Sequence, residues 1–235
     1  MSLVELAELL DVSRMTVYRD IKVLEDMGKL RHVRGGAAST QPNSEEPRFV
    51  TKREVNSDLK DAIAHYAVKQ FVASGDIIIL GAGTTAAAML THLQHEHVTL
   101  ITNGLETINI ATSLLNEATI MLCGGILREP SRTLVGPQAE AFFAGINAQT
   151  MFFSASSLML PEGISDPNPL EIQVKRAMAA CAEQCVLLLD SSKFETRSLA
   201  QVLPLSSIDV LITDVAAPED VLQRLRSEGI DVHII

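Results

Sequence analysis

The chain lacks the features of a membrane protein and of a secreted, disulfide-bonded protein. No segment of the 235 residues reaches about 18 consecutive apolar residues, so no membrane-spanning segment is predicted. The three cysteines suggest no disulfide framework, and the N-terminus has no secretory leader pattern. We therefore expect a cytoplasmic protein with reduced thiols.

Basic side chains are also scarce, but their distribution is uneven. The chain has 29 acidic and 19 basic side chains, and a net charge of -10 argues against nucleic acid as a partner because phosphate contacts need lysine and arginine. Residues 1–36, however, hold six basic and six acidic side chains. The acidic excess lies from Asp76 onward, so the N-terminal segment has a different electrostatic character.

The N-terminal segment contains two helical patterns separated by the tight break "DVS". Ser13 is a good N-cap for the second helix, and Gly28 is a good stop after it. Two short helices joined in this way predict a helix-turn-helix. The apolar positions are Val4, Leu6, Leu9 and Leu10 in the first helix, and Met15, Val17, Ile21 and Leu24 in the second.

Basic and polar residues on the second helix, and the basic hairpin predicted for "KLRHVRGG", favour DNA binding through a winged motif. Any small helical hairpin has one charged face. The N-cap, the basic and polar residues of the second helix and the basic wing together favour DNA binding over that simpler interpretation. Arg14 and Thr16 would reach base edges in the major groove, while the others contact phosphates. The predicted DNA-binding residues are Ser13, Arg14, Thr16, Tyr18, Arg19, Lys22, Arg31 and Arg34.

Composition divides the chain into three parts. Residues 1–36 are the predicted winged helix-turn-helix, residues 37–49 have linker composition, and residues 50–235 form the predicted effector domain. A three-helix core needs a helix before Val4, so we expect a truncated motif whose first helix is missing; coverage by another chain is the alternative. The effector domain opens with a predicted helix from about Val50 to Val72. Its apolar stripe is Val55, Leu59, Ile63, Tyr66 and Ala67.

From Ile77 onward, short apolar strands alternate with helices. This pattern predicts an α/β fold, with a mostly parallel sheet and helices on both faces. Ligands of such sheets bind beyond the carboxyl ends of the strands. The predicted strands are "IIIL", "VTLITN", "TIMLCGG", "TMFFSAS", "CVLLLD" and "DVLITD", and the helices lie around 84–93, 105–116, 137–144, 169–183 and 218–228.

The predicted strand ends, "GAGTT", "TNG", "CGG", "SASS" and "DSSKF", are rich in glycine, hydroxyl and amide residues. Glycines let backbone amides approach a ligand, and Lys193 adds a positive charge, which together favours a phosphate. Each loop alone is also compatible with an ordinary turn. Gly81, Gly83 and Ala86 fit a dinucleotide-binding fingerprint, but Asn103 stands where the acid that binds the ribose is expected. A Walker loop is excluded because no Gly-Lys-Ser/Thr follows the glycines. A small phosphorylated molecule is the predicted ligand.

Over nearly its whole length the chain resembles the DeoR (deoxyribonucleoside repressor) family of bacterial transcription regulators. The resemblance rests on "VELAELLDVSRMTVYRDIKVLEDMGKLRHVRGGA", "GAGTT", "LITNG", "CGGILR", "LVGPQAE", "VKRAM" and "DSSKF" in this order. It implies a winged helix-turn-helix that binds double-stranded operator DNA. It also implies a sugar-phosphate sensor similar to the ribose-phosphate isomerase and CoA transferase fold, and a homo-oligomer, dimer or tetramer.

The resemblance assigns a phosphate loop and a surrounding pocket. This chain departs from the family at Gly81, where an acid is usual, and at "SASS", where Ala-Asp-Gly is common. Either the effector differs, or Asp166 and Glu171 take over the polar role. The predicted phosphate-binding residues are Gly81, Gly83, Thr84, Thr85 and Lys193. The predicted pocket residues are Asn103, Gly124, Gly125, Ser154, Ser156, Asp166, Glu171 and Lys175.

Two functions from different classes fit these residues. The first is a repressor of a sugar-metabolism operon controlled by a phosphorylated sugar, without catalytic residues, cofactor or metal. The alternative is a sugar-phosphate isomerase, which needs a carboxylate base such as Asp166, Glu171 or Asp190. The remaining residue groups are assigned to surface or core: His92, His95 and His97 to solvated surface, Cys181 and Cys185 to buried thiols, and Met15, Met178 and the paired phenylalanines to the core.

Overall fold

The computed structural model describes residues 7, 10, 12–26, 30–33, 36–39, 47–93, 97–116 and 118–235, with the backbone alone for 24–26, 30–33 and 36–39. The chain forms two compact units, Met1–Glu46 and Pro47–Ile235. No helix in the described part of the chain combines the length and apolar character that a membrane crossing needs.

The N-terminal unit contains helix α1 (Arg14–Asp26) and an antiparallel hairpin of β1 (Leu30–Val33) and β2 (Gly36–Ser39). The Thr16 amide donates a hydrogen bond of 3.1 Å to Ser13 Oγ, so the predicted N-cap is confirmed. The predicted hairpin is also present. Its second strand runs to Ser39, beyond the predicted start of the linker at residue 37.

The apolar stripe of α1 differs from the predicted one. Val17 and Ile21 are buried as predicted, but Met15 is 71% exposed, and its assignment to the core was wrong. Met15 lies two residues before Val17, a rotation of about 200° that places it on the opposite face of the helix. Leu10 is also exposed, whereas Val4, Leu6 and Leu9 lie outside the described residues.

A seven-stranded sheet, parallel throughout, forms the centre of the larger unit. Its strand order is β14-β13-β11-β8-β3-β4-β5, which confirms the predicted α/β class. All six predicted strands are present, and β14 was not predicted. The strands are β3 (Ile77–Leu80), β4 (Thr99–Thr102), β5 (Thr119–Leu122), β8 (Ala148–Phe153), β11 (Ala182–Leu188), β13 (Val210–Thr213) and β14 (Asp231–Ile234).

Two smaller sheets flank the central sheet, and neither was predicted. One is a hairpin of β6 (Ile126–Arg128) and β7 (Thr133–Val135), and the other has the order β12-β10-β9. The three strands of the latter are β9 (Ser157–Met159), β10 (Gly163–Asp166) and β12 (Ala200–Gln201).

Helices cover both faces of the central sheet, as predicted. Ile78 and Phe152 point into one core, whereas the neighbouring Ile79 and Phe153 point into the other, because alternate strand residues face opposite sides. The helices are α2 (Phe49–Glu54), α3 (Ser57–Phe71), α4 (Thr84–Ala88, continued by a 3-10 turn over Met89–Thr91), α5 (Leu105–Leu114), α6 (Pro137–Phe143), α7 (Pro169–Ala180) and α8 (Glu219–Ser227).

The prediction of one continuous helix from about Val50 to Val72 was wrong. The helix is interrupted at Val55 and Asn56, and Asn56 adopts the left-handed conformation with φ 54° and ψ 36°. Val55 is 53% exposed rather than buried. Lys60 instead occupies a buried position in the stripe, one turn before Ile63.

The strand order places a topological switch point between β3 and β8. From β3 the chain proceeds through β4 to β5 at one edge and then returns to β8 on the other side of β3. Ligands of open α/β sheets bind at such a switch point, outside the carboxyl ends of the strands. The loops after β3 and β8 therefore define the position of a candidate site.

Candidate functional site

The loops after β3 and β8 are in direct contact. A Cβ atom added to Gly83 would lie 1.9 Å from Ser154 Oγ, and one added to Gly81 would lie 3.3 Å from the Phe153 Cβ. Only glycine at position 83 permits this approach without displacing Ser154. At Gly81, where the resemblance implies an acid, a Cβ atom would be in tight contact with β8.

The start of α4 presents hydrogen-bond donors beside this contact. Thr84 and Thr85 are its first residues, and the first helical hydrogen bond runs from Ala87 N to Gly83 O at 2.9 Å. The amides before Ala87 therefore have no partner within the helix. Neither threonine hydroxyl forms a hydrogen bond with another described residue. The structure thus groups four predicted phosphate-binding residues at one strand end.

The loop after β4 adjoins the same region. A Cβ on Gly104 would lie 2.9 Å from the Ala82 Cβ, which places the two loops side by side. Asn103 is buried, and its Nδ2 donates to the Leu134 carbonyl at 3.2 Å, so its amide braces the β6–β7 hairpin.

The two predicted pocket glycines after β5 have different environments. Gly125 has φ +127°, and a Cβ there would lie 2.6 Å from the Val135 carbonyl oxygen. A Cβ on Gly124 would meet no atom within 4 Å. Gly125 is therefore required by the backbone, and Gly124 faces open space.

The loop after β8 is held by a buried ion pair. Asp166 is 2% exposed; its Oδ1 accepts a hydrogen bond from the Ser156 amide at 2.7 Å, and its Oδ2 accepts one from Lys175 Nζ. Lys175 Nζ also donates to the Ser154 carbonyl at 2.7 Å. The structure therefore brings together Ser154, Ser156, Asp166 and Lys175, with both carboxylate oxygens already accepting hydrogen bonds.

Glu171 lies in a different cluster, at the turn of the β6–β7 hairpin. It is 8% exposed, and its Oε1 accepts hydrogen bonds from Arg128 at 2.5 Å, from Thr133 at 3.1 Å and from Ser131. This carboxylate links α7 to the hairpin. Three donors already converge on Oε1.

Two buried carboxylates hold the loop that carries Lys193. Asp190 Oδ1 accepts from the Ser192 amide at 3.2 Å and from its hydroxyl, while Asp214 Oδ2 accepts from the Ser191 amide at 2.6 Å. Lys193 is half-buried, and its ammonium makes no hydrogen bond or ion pair with any described residue. A cation held in this way is suited to an anionic ligand.

Two residues that the sequence did not suggest lie near this loop, and one of them, Asn56, contacts it. Asn56 Nδ2 donates to Asp190 Oδ1 at 3.0 Å, and Lys60, 5% exposed, donates through Nζ to the carbonyls of Lys52 and Val55. Burial lowers the pKa of Lys60, the Asp190 carboxylate opposes this shift, and the Lys193 charge adds to it. A lysine in line with Ile63 on the apolar stripe was the signal available in the sequence.

The predictions for histidine and cysteine concern groups outside the site. His92 pairs with Asp61 at 2.9 Å, and His95 lies outside the described residues. Burial raises the pKa of Cys123 and of Cys185 to about 11, so both thiols stay protonated at neutral pH. The described residues contain no group of three or more histidine, cysteine or acidic side chains that could hold a metal ion.

The predicted DNA-binding residues are exposed wherever their side chains are described. Thr16 shares a hydrogen bond of 2.8 Å between its hydroxyl and Ser13 Oγ, which fixes both at the start of α1. Arg31 lies in β1, where the backbone alone is described, and Arg34 lies outside the described residues. The exposed set is Ser13, Arg14, Thr16, Tyr18, Arg19 and Lys22.

The chain thus combines a small unit, with a capped helix and a hairpin, and a parallel α/β unit whose strand ends carry polar residues. Residues 1–43 match the DeoR-like helix-turn-helix domain, and residues 55–215 match the DeoR C terminal sensor domain. The chain belongs to the DeoR family, which confirms the predicted resemblance.

Several relatives match almost the whole chain. The chain is 32% identical to the putative aga operon transcriptional repressor of Escherichia coli O157:H7, over 98% of this chain and 86% of that protein. It is 32% identical to the transcriptional regulator GlpR of Haloferax volcanii, over 98% and 90%. It is 30% identical to the L-fucose operon activator of Haemophilus influenzae, over 93% and 87%.

Among solved structures, the chain is similar to ribose 5-phosphate isomerase A of Methanocaldococcus jannaschii. The sequence identity is 22% and the TM-score 0.43, with 59% of this chain and 55% of that chain covered. The isomerase of Plasmodium falciparum gives 18% identity and the same TM-score, over 60% and 55%.

Proposed function

We propose that this protein is a DNA-binding transcription regulator, a repressor of a sugar-metabolism operon, whose DNA affinity depends on a phosphorylated sugar. Relatives named for the aga and L-fucose operons support regulation of a sugar operon. Double-stranded operator DNA is the partner of the N-terminal unit, and the protein acts as a homo-oligomer without a cofactor.

One observation carries the proposal for the effector. At the switch point of the sheet, Gly83 packs against Ser154, and the hydroxyls of Thr84 and Thr85 form no hydrogen bonds with described residues. Lys193, on the loop after β11, contributes a cation without a counter-ion among the described residues. Backbone amides, hydroxyls and an ammonium group are the donors that bind a phosphate.

The carboxylates favour binding without turnover. Isomerisation needs a base within hydrogen-bond reach of the substrate, but Asp166, Glu171 and Asp190 are buried and accept hydrogen bonds from the protein. Incubation with pentose and hexose phosphates is expected to give no isomerised product. Product formation that is abolished by Glu171→Gln would contradict this proposal.

Thermal shift against a panel of sugar phosphates and free sugars tests the effector site. A ligand that binds the folded state alone at a hundred times its Kd adds about 2.7 kcal/mol to stability and raises Tm. Lys193→Ala removes a charge-assisted hydrogen bond, so the affinity is expected to fall roughly ten- to hundredfold. Lys69→Ala, at an exposed lysine of α3, is the matched control.

The proposal predicts a shift with a phosphorylated sugar that is absent with the free sugar and reduced in Lys193→Ala. An equal shift in Lys193→Ala and Lys69→Ala would contradict the role of Lys193. If no compound of the panel raises Tm, the proposal that a phosphorylated sugar is the effector is contradicted.

A further inference from the structure

The junction between α2 and α3 departs from the helix that its sequence predicts. The apolar spacing of residues 50–72 favours one continuous helix, yet the chain is interrupted at Asn56 in the left-handed conformation. A residue with a Cβ atom adopts this conformation at a cost, and asparagine tolerates it better than most. Contacts from outside the helix must therefore hold the interruption.

Lys60 stabilises the interrupted form. In a continuous helix the carbonyls of Lys52 and Val55 would accept hydrogen bonds from the amides four residues later, those of Asn56 and Leu59. In the structure, both carbonyls accept from Lys60 Nζ instead. A buried ammonium group thus replaces two backbone donors that the interruption removes.

Asp190 connects this junction to the candidate effector site. Its Oδ1 accepts from Asn56 Nδ2 at 3.0 Å and from the Ser192 amide at 3.2 Å, so the junction and the Lys193 loop share one acceptor atom. Asparagine is a favoured N-cap, but Asn56 caps no amide of α3 because its side chain is turned to Asp190. A rearrangement of the loop must therefore alter the contact that holds Asn56.

The α2 helix also reaches the other side of the site. It packs against α4, the helix that begins with Thr84 and Thr85, and the Phe49 amide donates to the Pro130 carbonyl at 3.1 Å. Phe49 is buried, and the chain before it leads to the DNA-binding unit. The α2 helix is thus close along the chain to the boundary between the two units.

We propose that the α2–α3 junction is a switch, in which anion binding at Lys193 releases Asn56 from Asp190 and converts the interrupted helix into a continuous one. This inference rests on the proposed effector site. An anion beside Asp190 attracts Lys60 away from its two carbonyls and competes with Asp190 for the Asn56 Nδ2 donor. The freed carbonyls then accept from the amides of Asn56 and Leu59.

Hydrogen-deuterium exchange of the full chain, with inorganic phosphate as the probe, tests this switch. Phosphate is expected to slow exchange at residues 83–85, where it binds, and at residues 56–59, where new helical hydrogen bonds form. A stabilisation of about 1.4 kcal/mol would lower the exchange rate of these amides roughly tenfold.

Two variants separate the contact from the backbone conformation. Asn56→Ala favours the continuous helix, so slow exchange at 56–59 is expected without phosphate. Asn56→Gly removes the hydrogen bond to Asp190 but adopts the left-handed conformation at little cost. The interruption should therefore persist, and exchange at 56–59 should stay fast without phosphate. Asn147→Gly, at an exposed asparagine before β8, is the control and should match the wild type.

The outcomes distinguish the switch from the effector site itself. Protection at 83–85 without protection at 56–59 in the wild type would overturn the switch alone. Equal exchange at 56–59 in Asn56→Ala and the wild type would also overturn it. If phosphate protects neither segment, the effector site is contradicted, and the switch falls with it.

Discussion

At the scale of single residues, adjacent glycines have different structural roles. The family resemblance assigned Gly124 and Gly125 together to the pocket, after the same predicted strand. In the structure, a side chain at Gly124 would meet open space, whereas one at Gly125 would meet a backbone carbonyl at a positive φ. Whether a position requires glycine thus depends on the atoms that the fold places around it.

Alanine substitution of these two glycines should give different losses of stability. Gly125→Ala combines a disfavoured φ with a 2.6 Å contact to the Val135 carbonyl, so a loss of about 2 kcal/mol or more is expected. Gly124→Ala should change stability by less than about 0.5 kcal/mol. Urea denaturation followed by circular dichroism measures both, and equal midpoints would contradict the assigned backbone role.

The contact between Gly83 and Ser154 could not be deduced from sequence. The glycine and hydroxyl residues were recognised from their positions after apolar strands. Their proximity depends on the pairing of β3 with β8. The first residue of β8 lies 71 residues after the first residue of β3. A single sequence gives the strands but not their order in the sheet.

At the scale of elements, buried polar clusters hold the loops of the candidate site. Glu171 on α7 binds Arg128, Ser131 and Thr133 of the β6–β7 hairpin. The sequence suggested Glu171 as a ligand-binding or catalytic group, because its partners, up to 43 residues away, could not be identified.

Removal of the Glu171 carboxylate should uncouple the hairpin from α7. Glu171→Ala leaves buried donors without their acceptor, so a loss of about 3 kcal/mol in the free energy of unfolding is expected. Glu171→Gln keeps an oxygen acceptor and should lose less. Glu183→Ala, at an exposed glutamate, is the control in guanidinium denaturation, and a loss in Glu171→Ala no larger than in this control would contradict the assigned role.

The elements that the sequence predicted are those with long apolar patterns. Six central strands and the helices between them follow from runs of branched residues and helical periodicity. Strands of three residues, such as β6 and β7, are too short to show a period, and they were missed. The interruption at Asn56 had a signal, because "NSD" is a typical helix start within a longer helical pattern.

At the scale of the whole molecule, the two parts of the chain differ in charge. The first 36 residues are electrically neutral within a chain of net charge -10, so DNA contact depends on the local basic residues of α1 and the hairpin. If a sugar phosphate alters the affinity for DNA, then DNA must alter the affinity for the sugar phosphate by the same factor.

The affinity for DNA with and without sugar phosphate is the most direct test of this account. A duplex selected by the protein from a random pool, labelled and titrated at one fixed salt concentration, gives Kd by fluorescence anisotropy. A phosphorylated sugar is expected to change this Kd by roughly 5- to 150-fold, the usual range of allosteric coupling, whereas the free sugar leaves it unchanged. A Kd that no sugar phosphate changes, in protein that binds the duplex, would contradict the account.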